Sequence, residues 1–90
     1  MKAYDVIDSP EKWIQGSFAR TKTGGRANVQ DEKAYCFCVV GAIYRAYEED
    51  KAIKQLSKLQ PIMGNALMGW NDEPGRTWEE VYQLLKDNDI

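Results

Sequence analysis

The chain has no histidine. That absence removes the serine–histidine–aspartate and cysteine–histidine arrangements as catalytic templates, together with every zinc site that uses imidazole. Cysteine is scarce as well: Cys36 and Cys38 are the two thiols, and a thiolate zinc site would need more. Long apolar runs are missing. The longest, Cys36 to Tyr44, falls well short of the roughly 18 residues that a membrane span requires, so no membrane association is expected. The N-terminal stretch lacks a basic-then-apolar signal pattern, and the expected location is cytoplasmic. Excess positive charge is also absent. A net charge of −2 and a pI near 5.1 argue against a dedicated nucleic-acid binder.

What remains is the composition of a globular domain, with 43% hydrophobic and 29% charged residues. Ninety residues without an internal repeat, low-complexity stretch or linker support one domain over 1–90, whose margin of stability a homodimer would widen. The pattern reads as mainly α: four or five short helices around a central buried helix at about 32–47, with a small β-hairpin near 17–29. Ser9 and Pro10 suit an N-cap and a first helical position, and that helix is expected to end at Gly16. The Gly24-Gly25 turn would join Ser17-Phe18-Ala19 to Ala27-Asn28-Val29. Between Ala34 and Ala46 small residues recur every four positions, and Gly41 in the middle permits close approach by another helix. A shorter helix, about Lys51 to Leu59, carries Ile53, Leu56 and Leu59 on one side and stops at Pro61. Residues 62–70 suggest a helical turn. Glu73-Pro74-Gly75-Arg76 fits a type II turn. Thr77 and Glu80 form a capping box for the last helix, with Trp78, Val81, Tyr82 and Leu85 as its apolar stripe.

Few residues carry chemistry. On a helix Cys36 and Cys38 would point about 200° apart, so they close no disulfide, and buried reduced thiols are the expectation. Asp72, Glu73, Glu79 and Glu80 lack calcium-loop spacing, and acids after Thr77 are accounted for by the helix dipole; no metal or other cofactor is expected. The basic loop from Arg20 to Arg26 lacks the phosphate-binding loop spacing. The candidate site is polar: Gln15, Arg20, Asn71, Asp72 and Arg76. Two blocks of such residues end in loops beside Trp13 and Trp70, and tryptophans anchored in one core would bring those loops together. Arg20 or Arg76 would then pair with Asp72, while Gln15 and Asn71 supply directional hydrogen bonds. Such a cluster is either a ligand site or a lock that fixes the loops.

Three blocks carry a resemblance. Trp13-Ile14-Gln15-Gly16 with Ala19-Arg20 is similar to a W-x-Q-G-x-x-A-R opening. Cys38-Val39-Val40-Gly41-Ala42-Ile43 is similar to a C-x-x-G-A helix. Trp70-Asn71-Asp72 with Arg76-Thr77, Glu80-Val81 and Leu84-Leu85 is similar to W-N-D-x-x-x-R-T-x-x-E-V-x-x-L-L. In this order they resemble a family of small bacterial and phage proteins of unknown function. The resemblance implies no reaction, cofactor or catalytic residue. The leading expectation is a binding or interaction module, phage- or prophage-encoded, acting on a host protein or a small anionic ligand. The alternatives are a minimal enzyme using Cys38 or Asp72, and a structural accessory subunit.

Overall fold

The fold begins with a short helix, α1 (Ala3–Val6), and a single 3-10 turn at Pro10–Lys12. Strands β1 (Ala19–Thr21) and β2 (Ala34–Phe37) follow, then α2 (Val39–Ala46), α3 (Glu49–Met63), α4 (Leu67–Asp72) and α5 (Trp78–Asp87). The structure, a computed structural model, describes residues 1–63 and 67–90, with side chains outside 60–66. Helices and one antiparallel strand pair make up the described architecture, in rough agreement with a mainly α reading.

The helix expected over 32–47 is instead a strand followed by a shorter helix. Ala34–Phe37 pairs with β1 in the register Ala19↔Phe37, Arg20↔Cys36 and Thr21↔Ala34, with an irregularity between Arg20 and Thr21. Trp13 bridges Phe37 on the other side, and the Ile14 amide donates to the Phe37 carbonyl at 3.1 Å. Chain on both sides of β2 therefore takes its backbone hydrogen bonds, which a helix would have made internally. Cys38 is extended and caps α2, its Sγ accepting from the Gly41 amide at 3.3 Å. Cys36 and Cys38 thus lie on a strand and at a helix cap, not on one helix.

The hairpin expected near 17–29 forms only in part. Thr21 and Gly25 close the turn, Gly24 takes φ +91°, and Arg20 bridges Arg26. Ala27-Asn28-Val29 does not continue the ladder, because α2 holds that arm. Arg45 Nη1 donates to the Val29 and Asp31 carbonyls at 2.9 and 2.8 Å, and Gln30 Nε2 donates to the Tyr44 carbonyl. The helix expected from Ser9 to Gly16 shrinks to the 3-10 turn, since Trp13 is drawn into extended backbone by its bridge to Phe37.

The core gathers Ile7, Phe37, Val39, Ala42, Ile43, Leu59, Val81, Leu85 and Ile90. Helix α2 packs against α1, α3 and α4. Gly41 does meet another backbone, but it is the Phe18 carbonyl leading into β1 and not a helix: a Cβ there would overlap that oxygen. α3 runs past Pro61, because most helical stability comes from packing, here of Ala52, Leu56 and Leu59, and not from propensity. Ile53 departs from that buried side and is half exposed. The helical turn expected over 62–70 is represented by α4 from Leu67; residues 64–66 lie outside the described residues. The turn at Glu73–Arg76 has Gly75 at φ +87° and closes through the Arg76 amide and Glu73 carbonyl at 3.0 Å. The capping box of α5 is present, with Thr77 Oγ1 accepting from the Glu80 amide and Glu80 Oε1 accepting from the Thr77 amide.

Candidate functional site

Trp70, Asn71 and Asp72 end α4 and do not form a loop. A helix end leaves carbonyls without partners, and the surrounding chain supplies donors. Gln15 Nε2 donates to the Asn71 and Glu73 carbonyls, both at 3.0 Å. Arg76 Nε donates to the Trp70 carbonyl at 2.9 Å, and its guanidinium lies 4.1 Å from the centre of the Trp70 ring. Gln15 and Arg76 thereby hold the C-terminal end of α4 against the chain before β1 and the turn before α5.

Asn71 is the hub. It is fully buried, and its amide is occupied in every direction. Oδ1 accepts from Trp13 Nε1 at 2.8 Å and from the Val39 amide at 3.0 Å. Nδ2 donates to the Ile14 carbonyl at 3.2 Å and to Asp72 Oδ1 at 2.9 Å. The Val39 amide opens α2 and has no partner within that helix, so Asn71 serves as a distant cap. Asp72 Oδ1 also accepts from the Gly16 amide at 3.0 Å. One asparagine thus ties the 13–16 segment, α2 and α4 together.

Gln15, Asn71 and Asp72 come together; the expected arginine–Asp72 pair does not form among the described residues. Arg76 pairs with Glu73 at 2.6 Å and Glu80 at 2.7 Å, and Arg20 Nη1 turns to the Gly24 carbonyl at 3.0 Å. The Glu73–Arg76–Glu80 spacing of three and four residues was the signal for the Arg76 pairs. Arg20 and Asp72 nonetheless both line a cavity of about 330 Å³, together with Gly16, Phe18, Arg26 and Met68.

A larger cavity of about 790 Å³ opens between α2, α3 and the 28–30 arm. Its walls include Val40, Tyr44, Leu56, Leu59 and Leu67, with Phe18 and Ile53 about half exposed at its margin. Sequence pattern did not reveal it, because each of these residues reads as core until the elements are placed.

The thiols are poor nucleophiles. Cys38 is fully buried, its Sγ sits 3.8 Å from Met68 Sδ, and burial pushes the thiol above its ordinary range. Burial raises the Cys36 thiol too. Among the described residues no three acids or cysteines gather as metal ligands, and no helix is long and apolar enough to cross a membrane.

A family model described as "Family of unknown function (DUF6197)" matches residues 1–87. No curated protein and no solved structure matches the chain.

Proposed function

The chain belongs to the DUF6197 family of unknown function, and we propose that it is a binding module whose working surface is the larger groove. The Asn71 network is then the lock that holds this surface in shape. One observation carries the reading: an open apolar groove of about 790 Å³ with half-exposed Phe18 and Ile53 on its margin, in a chain whose buried asparagine already has every hydrogen bond made internally. Pockets that hold small ligands span about 300–1,000 Å³ and are mostly apolar with a few polar groups. Here Asn28, Gln30, Ser57 and Glu49 supply the polar groups. The same geometry disfavours an enzyme at Cys38, whose thiol is buried and raised, or at Asp72, whose Oδ1 already accepts two hydrogen bonds. A phage- or prophage-encoded binder would use the groove on a host molecule.

The test is saturable binding of an uncharged apolar dye, Nile red, to the native protein. Ile53→Asp places a charge on the groove margin at a half-exposed position. It should weaken dye binding by about tenfold or more, the cost of desolvating a charge against an apolar ligand, while leaving the thermal midpoint near that of the unaltered chain. Dye binding that is absent, or indifferent to Ile53→Asp, refutes the proposal.

A further inference from the structure

We propose that the groove takes a small amphiphile with an anionic head, its apolar body lying between α2 and α3 and its head between Arg20 and Arg26. The inference rests on the groove being the binding surface. Its starting point is continuity: Phe18 and Met68 line both the apolar groove and the smaller cavity, so one ligand lying over the Phe18 margin would reach both. The two cavities differ in character. The groove is walled mainly by aliphatic and aromatic side chains, with Asn28, Gln30, Ser57 and the Glu49 carboxylate also lining it and no cation among its described lining residues, whereas the smaller cavity presents two arginines and one carboxylate.

The arginines are placed in an unusual way. Arg20 and Arg26 bridge each other across the antiparallel turn. Residues opposite one another in such a pairing project from the same face, and like charges there repel. Local rules of this kind are broken mainly at functional or strained sites. Among the described residues no ion pair involves either arginine. Arg20 Nη1 binds the Gly24 carbonyl, which uses one of the five guanidinium donors. Among the described residues Asp72 is the one carboxylate lining that cavity, and its Oδ1 already accepts from the Gly16 amide and Asn71 Nδ2. An anion seated between the arginines would relieve their repulsion, and the planar guanidinium suits a carboxylate head.

Displacement of Nile red by three amphiphiles of one tail length, each below its micellar concentration or solubility limit, tests this. The probes are dodecanoate, 1-dodecanol and dodecyltrimethylammonium. Dodecanoate should bind about tenfold more tightly than the cation, roughly the worth of one charge-assisted hydrogen bond, and added salt should narrow the gap. Arg26→Gln should weaken dodecanoate about tenfold and leave 1-dodecanol unchanged. Arg26 is exposed, so this variant keeps its fold, and an unshifted thermal midpoint checks that. Equal affinity for the three heads, or a dodecanoate preference that survives Arg26→Gln and the Arg20→Gln/Arg26→Gln double variant, overturns the inference and leaves the groove reading standing. Failure of Nile red itself to bind removes both.

Discussion

Replacing Asn71 by alanine would remove the side chain that joins three parts of the molecule. Trp13 Nε1, the Val39 amide and the Ile14 carbonyl would each lose their Asn71 contact. The carbonyl is the least costly loss, because carbonyl groups tolerate under-satisfaction better than amides. The two donors decide the magnitude. A buried donor left without an acceptor costs about 1–3 kcal/mol. The Val39 amide lies in the core beside a fully buried residue and takes the upper part of that range, whereas half-buried Trp13 regains water and takes the lower part. Asn71→Ala should therefore destabilise the fold by about 3–5 kcal/mol, a large fraction of the roughly 5–15 kcal/mol typical of such domains. Chemical denaturation followed by tryptophan fluorescence measures this directly, since Trp13 and Trp70 flank the site. Asn71→Asp sharpens the test. It keeps an acceptor for Trp13 and Val39 but sets a carboxylate beside the Ile14 carbonyl and Asp72, where a donor is needed. At neutral pH it should therefore destabilise at least as much as alanine. A loss below about 1 kcal/mol for Asn71→Ala would mean that water readily replaces the amide, and the lock would be refuted.

Two further outcomes follow from local geometry. Gly41→Ala should overlap the Phe18 carbonyl and cost about 1–3 kcal/mol or more, seen as a drop in thermal midpoint of several degrees; an unchanged midpoint would show that the β1 approach moves freely. The Thr77 backbone amide, with Arg76 and the Thr77 hydroxyl, holds Glu80 below its ordinary 4.5. A carboxylate depressed on folding stabilises above its unfolded value and loses that contribution as pH falls through the folded one. The thermal midpoint should thus fall more steeply below about pH 4.5 in the unaltered chain than in Glu80→Gln, and parallel profiles would contradict this.

Features built from neighbours in sequence were legible without the fold. The Thr77–Glu80 capping box and the Glu73–Arg76 turn each depend on residues three apart, so the participants are near one another in any compact state. The mainly helical character also follows from pattern. The meeting of Gln15, Asn71 and Asp72 was a longer inference, drawn from two tryptophans expected to share a core, and Trp13 does reach Asn71 through its indole. What the tertiary structure decided was everything that depends on which distant backbone comes alongside. Ala34–Phe37 is apolar on all sides and suits a buried helix or a buried strand equally well. Only β1 on one edge and Trp13–Ile14 on the other make it a strand. Asn71 reads as a turn residue in sequence, yet it is buried because the buried amide that opens α2 has no partner within its helix and needs an acceptor from elsewhere. Arg76 pairs with Glu73 and Glu80 and not with Asp72, which is as near along the chain as Glu80, because Asp72 Oδ1 is already bound to Gly16 and Asn71. The groove has no sequence signature, because an unfilled space belongs to no residue and exists only once α2, α3 and the 28–30 arm are set apart by their packing.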